Sequence, residues 1–130
     1  MFSFHHQIAV LDRNNNVVGF ARKSSIFQLS ASVRFWLLPT PIPFDQFSSD
    51  RIYNTQLPDI KMKGNWRTKN VLITHSSGNI IAKIQRRSMN IRHLLGSQTY
   101  DCSVAPQVDC AFIIMLTVIL DEIYQERKNE

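Results

Sequence analysis

Four glycines in 130 residues leave little material for loops that cradle phosphates or expose a nucleophile. None of the four falls in a G-x-S-x-G elbow, a P-loop or a G-x-G-x-x-G turn, so the chemistries built on those turns lack their supports. The serine pairs at 24–25, 48–49 and 76–77 fit turns and strand ends. Cysteine is as scarce. Cys102 and Cys110 are too few for a disulfide scaffold and read as two reduced, buried thiols of an intracellular protein. No histidine stands at ligand spacing from either, His5 and His6 are merely adjacent, and no Asp-rich calcium loop occurs. The chain is therefore expected to be non-enzymatic, with no metal and no cofactor.

Long apolar runs are also missing. The longest, Ala111–Leu120, has nine apolar residues in ten, and charges follow at once from Asp121. Eleven residues from Cys110 rise only about 16 Å as a helix, where a membrane span takes about 20 residues. "MFSFHHQIAV" has neither the basic nor the apolar region of a secretory signal. Phe2 stands where myristoylation needs glycine, and "ERKNE" carries no prenylation or retention signal. These absences point to the cytoplasm, with a peripheral place at the plasma membrane and a nuclear pool left open. What remains is globular material of single-domain length, residues 1–130, at 44% hydrophobic and 19% charged.

The most informative absence is of acid. Between Ile60 and Tyr100 there is no Asp or Glu, while the same span holds Lys61, Lys63, Arg67, Lys69, Lys83, Arg86, Arg87 and Arg92. Elsewhere the ten acids outnumber seven bases, so the net charge of +5 belongs to this stretch. By strand alternation Lys61 and Lys63 share a face, as do Arg67 and Lys69, and Lys83 and Arg87. The plain reading is a solvated outer face. The sharper one is an anion or lipid site formed by Lys61, Lys63, Arg67, Lys69, Lys83, Arg86 and Arg87. Its partner would be an anionic membrane surface or a phosphoinositide, with each cation near the membrane contributing about 1 kcal/mol. Nucleic acid is disfavoured: Trp66 beside Arg67 is the sole aromatic support, and "KIQRR" is short for a nuclear signal. A protein partner stays open.

Alternation sets the elements. In "FQLSASVRFWL" Phe27, Leu29, Ala31, Val33, Phe35 and Leu37 alternate with polar residues, only Trp36 departing, which predicts one strand with one buried face. "IIAKIQRR" and "TYDCSV" alternate likewise, and "DIKMKG" (59–64) is a short strand. "QIAVL" and "VVGFA" make a hairpin across Asn14–Asn16, and "VLITH" and "IIAKI" another, with Gly78 supplying a positive φ. "PTPIPFDQFSSD" (39–50), with prolines at 39, 41 and 43, reads as an exposed loop, and 126–130 as a charged tail. The run 109–125 is expected to be a helix capped by Asp109. Its residues Phe112, Ile113, Leu116, Ile119 and Leu120 form its structural core. A helix apolar all round must be surrounded, and only strands are on hand to surround it. The expected fold is mainly β: an antiparallel β-barrel enclosing one C-terminal helix.

Four blocks then point to a family. "SSIFQL" (24–29), "DIKMKGNW" (59–66), "IIAKIQRR" (80–87) and the run 99–123 stand in order, the last carrying Tyr100, Val104, Pro106, Asp109, Ala111, Phe112, Leu120, Asp121 and Glu122. In these the chain resembles the LURP-one-related proteins, a mostly plant family with the tubby C-terminal-like fold, over about residues 17–124. The resemblance implies the same barrel around a helix, and kinship with phospholipid scramblases and tubby-like proteins that act at membranes. It also implies, for some members, a part in plant defence. Relative to that family the chain is short of N-terminal strands, at most two preceding "SSIFQL", so an incomplete barrel is expected. The function implied is a non-enzymatic membrane-surface docking or signalling module. The alternative is a protein-interaction or membrane-tethered transcription-regulatory module that binds nucleic acid.

Overall fold

The computed structural model describes residues 2–4, 7–23, 32–86 and 100–128. Among these residues eight strands follow one another in sequence order as a single antiparallel meander. They are β1 (Phe2–Phe4), β2 (Gln7–Leu11), β3 (Asn16–Lys23), β4 (Val33–Pro43), β5 (Ile60–Asn65), β6 (Asn70–His75), β7 (Ile80–Arg86) and β8 (Tyr100–Val104). A short helix, α1 (Ser49–Thr55), lies between β4 and β5, and a long one, α2 (Cys110–Lys128), closes the chain. The turn residues behave as their chemistry requires. Asn15 takes φ 60°, and Gly78 takes φ 96° in the β6–β7 hairpin.

One face of the sheet carries the main core. Ile8, Ala21, Val33, Phe35, Ile60, Met62, Val71, Ile73, Ala82 and Ile84 form one cluster with Ile113, Leu116, Ile119, Leu120 and Ile123 of α2. Asp109 caps α2 as expected, its carboxylate accepting the Ala111 N–H at 2.9 Å. Of the anticipated helix core, Ile113, Leu116, Ile119 and Leu120 are buried. Phe112 is half-buried and sets its ring edge-on to Phe35, 5.9 Å between centroids.

Enclosure is where the expectation needs correction. β1 and β8 are the two ends of the strand order and do not pair, so among the described residues the sheet is open and not a closed barrel. The helix is accordingly covered on one side. Ile114 is 63% exposed and Val118 44% exposed, on the side turned from the sheet. An all-round apolar run is thus satisfied by burying one stripe and leaving the other bare. The helix also continues to Lys128, into what reads as a charged tail. Three strands rather than two precede residue 24, and "SSIFQL" lies outside the described residues.

A second core lies on the other face. Ala9, Val17, Phe20, Trp36, Leu38 and Ile52 are buried together, with Phe47 and Tyr53 against them. Phe20 and Trp36 stack at 4.9 Å, and the Trp36 Nε1–H donates to the Gln56 carbonyl at 3.0 Å. This core overturns two expectations. Leu37, placed on the buried face by alternation, is 57% exposed, while Trp36 and Leu38 are buried. The reading of 39–50 as a loop fails as well, since β4 runs through Pro43. Pro39 and Pro41 fit because Leu37 lies opposite Gly19 and Ile42 opposite Val17. Leu38–Pro41 therefore bulge out of register, where no ladder N–H is needed. The segment 44–58, α1 included, folds over β2–β4 and covers their outer face. The outer face of β5–β8 has no such cover among the described residues.

Candidate anion-binding face

Inward positions of β5, β6 and β7 are fixed by the main core: Ile60 and Met62, Val71 and Ile73, Ala82 and Ile84. The residues between them must point outward. These are Lys61 and Lys63 on β5, Leu72 and Thr74 on β6, and Lys83 and Gln85 on β7. The register aligns them. Lys63 lies opposite Leu72, Leu72 opposite Lys83, and Lys83 opposite Ser103. Strands stand about 4.8 Å apart, so two lysines about 10 Å from one another flank a leucine. Lys61, Lys63 and Lys83 are exposed, and Leu72 is 36% exposed. The only acid on the described strands of this half is Asp101, at the β8 edge opposite Gln85.

Three of the seven anticipated cations therefore share one face. The others do not join them. Arg67 is exposed but sits in the β5–β6 turn, whose backbone is tied by the Arg67 and Thr68 N–H groups donating to Asn65 Oδ1 at 2.9 and 3.3 Å. Alternation does not apply in a turn, so Arg67 and Lys69 are not paired on a face. Lys69 takes φ 54° and is buried. Its ammonium lies 3.6 Å from the Trp66 ring centroid and 5.6 Å from that of Tyr100. It is an interior cation seated on aromatic rings, where the quadrupole attracts it, and not part of the face. Trp66 in turn donates through Nε1–H to Asp121 of α2 at 3.3 Å. Arg86 is exposed at the end of β7 opposite Tyr100, beside a shallow hollow of about 340 Å³ that Thr68, Lys69, Asn70 and Gln85 also line. Arg87 lies outside the described residues.

Two cations that reading along the chain does not select belong beside this face. Arg34 of β4 lies opposite Arg22 of β3 on one side and Lys61 of β5 on the other. They fall outside the acid-free span, and only strand register brings them to Lys61. Arg22 is secured to α1, donating to Asp50 Oδ1 at 2.8 Å with its guanidinium 4.0 Å over the Tyr53 ring.

The cysteines also depart from expectation: Cys102 and Cys110 are both exposed rather than interior. Cys102 sits on β8, the last strand in the order, where no further strand covers it among the described residues. Partial burial first, and then the neighbouring Cys110 thiol, push the Cys102 thiol above its ordinary value. Among the described residues no three His, Cys, Asp or Glu side chains gather to hold a metal ion. No helix among them is long and apolar enough to cross a membrane.

The fold and this face define an antiparallel sheet-and-helix protein with α2 on one side and, on the other, a covered half over β2–β4 and an open, cationic half over β5–β7. The sequence model of the LURP-one-related family matches residues 1–121, and the chain belongs to that family. It is 35% identical over 73 residues to protein LURP-one-related 10 of Arabidopsis thaliana, covering 55% of this chain and 38% of the relative. It is 35% identical over 69 residues to protein LURP-one-related 15 of the same plant, covering 52% and 32%. The match thus spans about a third of the length of these relatives. No solved structure matches.

Proposed function

We propose that this protein is a non-enzymatic module that docks on anionic membrane surfaces, phosphoinositide-bearing ones included, through the open outer face of β5–β7. The observation that carries this is the aligned row Lys63–Leu72–Lys83, with Lys61 beside it, on a stretch of strands without an acidic residue from 61 to 86. Two ammonium groups flanking an exposed leucine suit an interface where the charges meet headgroups and the apolar side chain reaches past them. A peripheral position is consistent with the helices among the described residues, none of which is long and apolar enough to cross a bilayer. A sheet curled part of the way around α2, as in a tubby-like fold but short of closure, is part of the same reading. Supporting it, Ile8 of β2 and Ile84 of β7 are both fully buried on the α2 side. A flat sheet between them would be roughly 24 Å across, against a helix about 10 Å wide, so curling around α2 would bring both under cover.

Co-sedimentation with vesicles tests the docking. Binding is expected to phosphatidylcholine vesicles doped with a phosphoinositide and not to phosphatidylcholine alone. It should weaken with salt as the screening length shortens from about 10 Å at 0.1 M to about 3 Å at 1 M. Equal binding to neutral vesicles would end the proposal.

A second reading is favoured by a different observation, the bare stripe of Ile114 and Val118 on α2. A protein partner would cover that stripe, and such binding would be insensitive to salt.

A further inference from the structure

We propose that Arg34 and Lys61, with Arg22 at their side, form a seat for a phosphate monoester carried on a polyol. The inference rests on the docking face just described and names a specific anion site at its margin.

Three cations lie directly opposite one another on three adjacent strands: Arg22, Arg34 and Lys61. Phe20 and Trp36 of the outer core show which way their neighbours at even spacing, Arg22 and Arg34, point. Lys61, between inward Ile60 and Met62, points the same way. Like charges directly opposite on neighbouring strands destabilise a sheet. Compensation here is one-sided, because Asp50 takes Arg22 and no carboxylate among the described residues pairs with Arg34 or Lys61. The Arg34 Nε is moreover buried with no hydrogen-bond partner among the described residues. A buried donor left unpaired is costly, and a charged one more so.

An oxyanion relieves the repulsion, and it satisfies the Nε as well once the Arg34 side chain turns that edge outward. A guanidinium offers two parallel N–H bonds to a phosphate, Lys61 adds a point charge, and the charge repulsion along the row is relieved. Thr74, opposite Lys61 on β6 and half-buried, places a hydroxyl next in the row as a further donor. Lys63 follows two residues along β5, about 7 Å away, within reach of a second phosphate on the same ring. A polyol bearing two or more phosphates fits this spacing, whether as a lipid headgroup or in solution.

The test uses inositol trisphosphate as the soluble probe and phosphoinositide-doped vesicles as the membrane probe, with wild type, Arg34→Gln, Lys61→Gln and Lys83→Gln. Inositol trisphosphate is expected to raise the melting temperature of wild type. Its affinity by calorimetry should fall at least tenfold in Arg34→Gln and Lys61→Gln and change little in Lys83→Gln. Without ligand, Arg34→Gln should melt at or above the wild-type temperature, since it removes a repelled, unsatisfied cation. Lys61→Gln is at an exposed position and carries the same binding expectation independently of how Arg34→Gln folds. Vesicle binding with no response to inositol trisphosphate would overturn the seat and leave the docking face standing. An inositol trisphosphate response lost in Arg34→Gln, without vesicle binding, would uphold the seat and remove the membrane. A lower unliganded melting temperature in Arg34→Gln, with phosphate binding intact, would make Arg34 structural and overturn the seat.

Discussion

Replacing Leu116 with alanine should lower the unfolding free energy by about 2–5 kcal/mol in urea denaturation. Leu116 is fully buried on the sheet side of α2, between Ile113 and Ile119, which are equally hidden. Truncation removes buried methyl groups and leaves a cavity that a helix wedged against strands cannot easily close. A domain of this size has a total stability of about 5–15 kcal/mol, so the loss is a large share of the whole. The informative comparison is about half a turn away, on the opposite side of the helix. Ile114 is 63% exposed. Ile114→Ala should change stability by no more than about 0.5 kcal/mol, because most of the side chain already meets solvent and alanine is the better helix former. Equal losses at the two positions would mean that the far side of α2 is covered after all.

The largest effect on binding is expected from Lys63→Glu combined with Lys83→Glu. Each lysine near an anionic surface contributes about 1 kcal/mol, and reversal replaces attraction with repulsion of similar size, about 4 kcal/mol in all. That corresponds to roughly a thousandfold loss of vesicle affinity. Both side chains are exposed on the outer face, so the fold should be unaffected and the circular dichroism spectrum unchanged. Undiminished binding by the double variant would show that another surface makes the contact.

Much of this architecture is legible along the chain because side-chain alternation and the apolar run are strong physical signals. β5, β6, β7 and β8 lie where their period-2 patterns put them, and α2 starts after Asp109. The failures have specific causes. Alternation in "VRFWLL" presumes one buried face, but Trp36 and Leu38 are buried on the other by Ile52 and the segment folded over them. Prolines 39 and 41 look incompatible with a strand until the register shows them in a bulge. α1, of seven residues, is too short to display a helical period. An apolar helix looks as if it must be sheathed, although solvent meets Ile114 and Val118.

The candidate face divides along the same line. Lys61, Lys63 and Lys83 follow from alternation within strands. Lys69 does not, because its positive φ in a turn swings its ammonium over Trp66. Arg34 is invisible to any reading of one stretch at a time. It stands 27 positions from Lys61, and only the β4–β5 register sets the two side by side.

Which surface meets the membrane can be read directly with an environment-sensitive dye. The exposed Cys102 and Cys110 are first replaced by serine, and one new cysteine is introduced, as Leu72→Cys on the outer sheet face or Ile114→Cys on the bare side of α2. On adding phosphoinositide-doped vesicles, the dye at position 72 should shift to the blue and that at 114 should stay unchanged. A blue shift confined to position 114 would place the apolar helix stripe, and not the lysine-bearing strands, against the bilayer, and would contradict the docking face outright.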